Sequence, residues 1–277
     1  MIAKKDLRTF RDAYRILLRE SDFAYILPHP VLRRQISNYT VTFPNKEIIS
    51  DNYTVIPHGS ATLVYSQDEK GVRGNLFGPI TKPCMVGGMA NQCQMLLIIE
   101  FQPAGLSAYT GISQKSLANQ IIPFELINPR LNRFILEALE RAASLDGLIA
   151  LLDQRLLADL AVSSPSELQM ATALMIERAG NISCKELSAA VYYSQRHLNR
   201  MFENHVGMNA KTFSRMVRIN KAIRLMQNPQ CSITYTSHET AFYDISHFIH
   251  DFQSVCGMTP QEYRRNMSDF YSEIAKF

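Results

Sequence analysis

The 277 residues contain no apolar run approaching the roughly 18–20 that a membrane span needs. The opening stretch, MIAKKDLRTFRDAYRILLRE, lacks the apolar centre of a secretory leader, so none is expected there. Five cysteines (Cys84, Cys93, Cys184, Cys231, Cys256) form an odd set without a Cys-x-x-Cys pair. That speaks against a disulfide frame or a zinc site and fits reduced thiols in a cytoplasm. There is no Gly-x-Ser-x-Gly elbow, no phosphate-cradling glycine loop and no catalytic Cys-His signature. His247 and His250 stand three apart, where a His-Glu-x-x-His zinc helix needs four. The run His-x-His followed by a carboxylate and another histidine is absent as well, which leaves a metal-dependent oxygenase without support. No catalytic residue, metal or cofactor is expected.

A strong charge excess is also missing. Lys and Arg number 29 against 25 Asp and Glu, a net charge of +4. Residues 181–277 hold 11 basic and 8 acidic side chains, and residues 1–180 hold 18 and 17. The small excess at the C-terminal end agrees with a phosphate-facing surface but leaves little for bulk charge to do. With 46% hydrophobic residues the chain is globular and long enough for two ordinary domains.

What is present is a repeat. SQRHLNRMFENHVGMNAKTF begins at Ser194, and DISHFIHDFQSVCGMTPQEY begins fifty positions later at Asp244. A short polar residue, a histidine, a large apolar residue, a phenylalanine, Gly-Met and an aromatic recur in register. Ser194 and Asp244 are helix N-cap types, and Gly207 and Gly257 suit the left-handed position that ends a helix. Leu198, Met201 and Phe202, and likewise Phe248 and Phe252, fall on one buried stripe. A shorter helix precedes each copy: Ser183–Val191, with Glu186 completing a capping box, and Ser232–Thr240. Two short helices joined by a tight turn form a helix-turn-helix, whose second helix enters a major groove. Residues Ala210–Asn228 read as one helix connecting two such units.

The runs SQRHLNRMFENHVGM and AFYDISHFIHDFQSVCGMTPQEYRR resemble the C-terminal DNA-binding domain of the AraC family of bacterial transcription regulators. The resemblance covers residues 182–265. It departs from the family where Tyr192 and Ala241 replace the usual turn glycine, and where Thr236 and Ser237 replace an apolar residue and alanine. It implies DNA contacts from Gln195, Arg196, Asn199 and Arg200 in the first unit, and from Ile245, Ser246, Ile249 and His250 in the second. Arginine can fork onto guanine, asparagine can pair with adenine, and isoleucine can touch a thymine methyl. The plainer reading of each is a solvated helix face, and for His250 a phosphate contact. Lys211, Arg215, Arg218 and Arg224 lie on the connecting helix. Phosphate contact is open for them, and Arg218 sits where the family has a structural arginine.

Residues 28–101 change to short runs rich in β-branched and aromatic residues: QISNYTVTF, EIISDNYTVIP, SATLVYSQ, VRGNLFGPI and MLLIIEFQP. Helical segments follow at 105–109, 113–120, 128–144 and 145–162, a linker at 162–165, and a helix at 166–179. Asp6–Glu20 reads as a further helix. The fold class expected is α+β multidomain: a cupin-like β-rich barrel or sandwich with flanking helices (1–162), then an all-α domain of two helix-turn-helix units joined by a long helix (163–277). IPHGSATLVYS, GNLFGPITKP and LLIIEFQPAGLSAYTGI resemble, more loosely, the β-rich regulatory domain of one branch of such regulators. In the broader family that position binds a small effector or dimerises. His29, His58, Cys84 and Cys93 are candidates for lining the barrel, and Cys84 is either a thiol sensor or a half-buried structural cysteine. Expected partners are double-stranded DNA, a small-molecule effector or a second copy of the chain, and RNA polymerase if the protein activates. No membrane is expected. A ligand-free regulator, and an enzyme carrying a DNA-binding module, stand as rival readings.

Overall fold

The computed structural model describes residues 2–47, 49–160 and 165–267, with the backbone of 270–271. In chain order its first elements are α1 (Asp6–Thr9), β1 (Ile16–Arg19), β2 (Phe23–Ile26), β3 (Ile36–Thr42), β4 (Thr54–Val55), β5 (Thr62–Asp68), β6 (Gly71–Phe77) and β7 (Cys84–Met85). Next come α2 (Gly87–Ala90), β8 (Met95–Phe101), α3 (Ser107–Thr110), α4 (Gln114–Leu117), β9 (Ile121–Pro123), α5 (Pro129–Arg141) and α6 (Leu145–Ala158). The rest is helical, α7 (Ser166–Glu177), α8 (Cys184–Ala190), α9 (Gln195–Val206), α10 (Ala210–Met226), α11 (Ile233–Glu239), α12 (Ile245–Cys256) and α13 (Pro260–Arg265), until β10 (Phe270–Tyr271). The expected boundary at 162/163 lies outside the described residues.

Seven strands form one antiparallel sheet in the order β1-β2-β3-β8-β5-β6-β9. Alternation along the central strands sorts its two faces. Tyr39, Val41, Leu63, Tyr65, Leu97 and Ile99 are buried on one face against Leu131, Ile135, Leu148 and Leu152 of α5 and α6. Thr40, Thr62, Val64, Leu96, Ile98 and Glu100 turn to the other face and line a cavity. A second sheet, β10-β4-β7, stands apart from the first, and β10 runs parallel to β4. Among the described residues the large sheet is open, with β1 at one edge and β9 at the other, and does not close into a ring.

Three stretches differ from the sequence expectation. Asp6–Glu20 is no single helix: only Asp6–Thr9 is α-helical, a 3₁₀ turn covers Ala13–Arg15, and Ile16–Arg19 is an edge strand. Arg15 Nη2 pairs with Asp153 Oδ2 at 2.7 Å, and pairing with β2 extends the chain beyond it. Leu17 and Leu18 of this edge strand are each 39% exposed. Among the described residues of EIISDNYTVIP only Thr54–Val55 is strand. Of 113–120 only Gln114–Leu117 is helical, and Ile121–Pro123 adds an edge strand to β6. In all three, long-range pairing overrides the local pattern.

The C-terminal helices build two cores that share α10. Phe213, Met216 and Val217 of α10 join Leu187 of α8 and Leu198, Phe202 and Val206 of α9. Ile219, Ala222, Ile223 and Met226 join Phe242, Phe248, Phe252 and Tyr263. One helix thus holds both units, its first half in one core and its second half in the other.

Candidate nucleic-acid interface

The two units repeat in detail. The Ser194 hydroxyl accepts from His197 N–H at 3.2 Å, and Asp244 Oδ1 accepts from His247 N–H at 2.7 Å. Each cap satisfies an amide that the first helical turn would otherwise leave open. Gly207 (φ +84°) and Gly257 (φ +73°) end the helices in the left-handed region. The turns before α9 and α12 also match: Tyr193 N–H donates to Ser188 O at 3.0 Å, and Phe242 N–H to Ser237 O at 3.1 Å. Both turns need a left-handed residue, and here Tyr192 (φ +57°) and Ala241 (φ +55°) supply it at a steric cost of roughly 1–2 kcal/mol each. An aromatic ring beside each turn packs on the following histidine: Tyr193 on His197 with centroids at 4.4 Å, Phe242 on His247 at 5.4 Å. These histidines therefore pack beside the turns.

Gln195, Arg196 and Arg200 are exposed on α9, and Asn199 beside them is half-buried. Asn199 Oδ1 accepts from Ala210 N–H at 3.2 Å, helping to satisfy the start of α10, while its amide N–H groups remain donors. Arg200 Nη2 lies 3.3 Å from His197 Nδ1. On α12 Ile245, Ser246 and His250 are exposed, with Ile245 at 41%, and Ile249 is half-buried. The second face is thus more apolar than the first.

Asp251, buried on α12, gathers one arginine and two histidine rings. Arg215 Nε lies 3.4 Å from its Oδ1, with His247 Nε2 at 3.6 Å and His250 Nδ1 at 3.7 Å. Arg218 donates to Gly180 O at 2.9 Å and stacks over Phe242 at 5.1 Å. Burial lowers the Arg218 pKa while Asp251 opposes the shift. Arg215 and Arg218 are therefore engaged within the fold, and Lys211 and Arg224 are exposed on α10. In α11 the replacements Thr236 and Ser237 are buried, with the Thr236 hydroxyl returned to Ser232 O at 3.0 Å. That bond satisfies a hydroxyl placed where a methyl group would otherwise pack.

The sheet domain sits on these helices through contacts between residues far apart in the chain. Lys115 Nζ pairs with Glu203 Oε2 at 2.7 Å, and His205 Nδ1 lies 3.4 Å from Ser107 Oγ. A Cβ on Gly207 would meet Pro79 at 3.0 Å, and one on Gly257 would meet Pro83 at 3.5 Å. The end of each recognition helix therefore abuts a proline of one loop. Ile56 sits in the second unit's core, and Asn220 Nδ2 donates to Pro57 O at 2.9 Å. No local pattern marks Ile56, Pro79 or Pro83, because their partners lie far along the chain. Of the candidates for lining the barrel, His58, Cys84 and Cys93 do face the cavity. His29 does not; its Nδ1 accepts from Val31 N–H at 3.3 Å at the start of a 3₁₀ turn. Burial raises the pKa of both cavity thiols, which disfavours the reactive thiolate. Among the described residues no group of three or more His, Cys, Asp or Glu is placed to hold a metal ion. No described helix is long and apolar enough to cross a membrane.

Comparison with known proteins agrees with this geometry. Residues 187–266 match a helix-turn-helix domain family, and residues 24–123 match a domain of unknown function (DUF6597). An HTH-type transcriptional regulator GlxA of Rhizobium meliloti is 35% identical over 72 residues, 26% of this chain and 22% of the relative. The uncharacterized HTH-type transcriptional regulator YdeC of Bacillus subtilis is 26% identical over 97 residues, 35% of this chain and 33% of the relative. The chain therefore spans about a third or less of these relatives. ToxT from Vibrio cholerae O395 superposes over 88% of this chain and 96% of its own, with 12% identity and a TM-score of 0.40. The two curated relatives carry the names of HTH-type transcriptional regulators. Residues 187–266 thus form a helix-turn-helix domain of the matched family, carrying two helix-turn-helix units joined by α10.

Proposed function

We propose that the chain is a sequence-specific DNA-binding transcription regulator of a bacterial cytoplasm, controlled through its sheet domain. One observation carries this reading: α9 and α12 both pack on α10 and leave their N-terminal halves exposed. Gln195, Arg196, Asn199 and Arg200 read bases in one major groove, with arginine forked on guanine and an asparagine N–H on the base edge. Ile245, Ser246 and Ile249 supply a more apolar reader in the next groove, and His250 contacts phosphate. With net charge only +4, positioned helices matter more than bulk attraction. The contacts at Glu203, Gly207 and Gly257 put the sheet domain where it can bias both helices. RNA polymerase is a further partner if the protein activates, and a second copy of the chain if it binds as a dimer.

Genome-wide capture of DNA by the purified full-length protein, with and without cell extract, tests the proposal. A motif of two blocks about ten base pairs apart supports both helices as readers. One block alone demotes α12 to phosphate contact. Absence of any enrichment under both conditions overturns the proposal.

A further inference from the structure

Three large hydrophobic side chains stand almost wholly free of the fold among the described residues: Tyr14 at 96% exposure, Tyr243 at 93% and Tyr192 at 92%. The next, Leu126, reaches only 72%. Two of the three stand at the same place in the two helix-turn-helix units, just ahead of the N-caps Ser194 and Asp244. Single exposed apolar residues are ordinary on a surface, so it is the repetition that calls for a cause.

Neither tyrosine serves its turn. Tyr192 (φ +57°) holds the left-handed position, where a glycine would fold at lower cost. The second turn meets the same demand with Ala241 (φ +55°) and then runs one residue longer. Tyr193 and Phe242 correspond, since each N–H closes its turn and each ring packs on the next histidine. Ser194 follows Tyr193 directly, whereas Tyr243 stands between Phe242 and the cap Asp244. The first unit thus closes without such a residue, and its cap bond to His197 forms all the same. Strain borne at an exposed turn, where the ring gains almost no packing, points to work done outside the fold.

The surroundings of the two rings fit DNA. Tyr192 leads into the exposed Gln195, Arg196 and Arg200, and Tyr243 into the exposed Ile245, Ser246 and His250. When the N-terminal half of a recognition helix enters a major groove, the turn before it lies at the groove's rim, over sugar and phosphate. There a phenol O–H can donate to a phosphate oxygen while the ring covers a deoxyribose. Such a contact carries no base information and releases no counterion. It suits a chain whose net charge is only +4.

We propose that Tyr192 and Tyr243 are DNA-backbone contacts that flank the two reading helices and add affinity without regard to sequence. The inference rests on the DNA-binding reading above and adds to it one residue in each unit.

The chain contains no tryptophan, so Tyr192→Trp, Tyr243→Trp and Tyr14→Trp each place a single indole in the full-length protein. Each variant would be titrated at low salt with a mixed-sequence duplex several turns long, and anisotropy of the labelled duplex would measure binding by the parent. Acrylamide quenching should fall on DNA binding for the indoles at 192 and 243 and stay unchanged for the one at 14. Tyr192→Gly and Tyr243→Ala should each weaken binding by about threefold to tenfold on every duplex, with an unchanged salt slope. Ala241→Gly relieves the same strain without removing a ring and should bind like the parent. If the parent binds while the indoles at 192 and 243 stay unprotected, or the two tyrosine variants bind like the parent, the inference falls and the DNA reading stands. A loss confined to one sequence would make these residues base readers and overturn it as well. A parent that binds no duplex overturns the DNA reading itself, and this inference with it.

Discussion

Asn220 Nδ2 donates to the carbonyl of Pro57 at 2.9 Å, joining the middle of α10 to the sheet domain. Ile56 and Gly59 on either side fill spaces beside the same helix, so a single short segment carries the contact. Asn220 also donates to Met216 O at 2.9 Å, which holds its amide in place.

That contact sets a prediction for stability. Ile56→Ala removes a buried side chain and should cost about 2–4 kcal/mol. Calorimetry of the full chain should show the C-terminal unit melting earlier and apart from the sheet domain. One unshifted transition would mean that the two domains do not depend on this segment.

The strained turns predict the opposite sign. Tyr192→Gly and Ala241→Gly remove a Cβ from left-handed positions and should each stabilise the protein by up to about 1 kcal/mol. Tyr192 is 92% exposed, so little packing is lost with its ring. Denaturant midpoints of the two variants check this, and a fall in either would place a hidden contact at that turn.

On α9 neighbouring residues should separate reading from folding. Arg200→Ala should weaken specific DNA binding by about 1–3 kcal/mol and relax choice at one base, with an unchanged melting temperature. Asn199→Ala should weaken binding and also lower stability by about 1 kcal/mol, because its Oδ1 satisfies Ala210 N–H. Equal loss for Arg200→Ala on every DNA sequence would assign that arginine to phosphate.

His205 gives a pH dependence. Burial lowers its pKa below the ordinary histidine value. The folded state therefore takes up this proton less readily than the unfolded chain, and stability rises with pH across that region. The contribution is present above the ordinary value near 6.5 and is lost as pH falls below it. Melting temperatures between pH 7.5 and 5.5 should drop less for His205→Gln than for the parent. Parallel curves would remove His205 from the docking contact.

Local chemistry alone determined the two helix-turn-helix units. Caps at Ser183, Ser194 and Asp244, stops at Gly207 and Gly257, and stripes through Leu198, Phe202, Phe248 and Phe252 are set by neighbours within four residues. The strands at 36–42, 62–68, 71–77 and 95–101 were legible as local runs rich in β-branched and aromatic residues. Other features waited on partners distant in the chain. Ile16–Arg19 became strand through pairing with β2, and Asn199 acquired its capping bond only when α10 began beside it. Ile56, Pro79 and Pro83 met the DNA-binding helices, and Glu100 came to line a cavity, only once strands and helices had packed. Periodicity is a property of neighbours in sequence, whereas docking and enclosure depend on residues brought together in space.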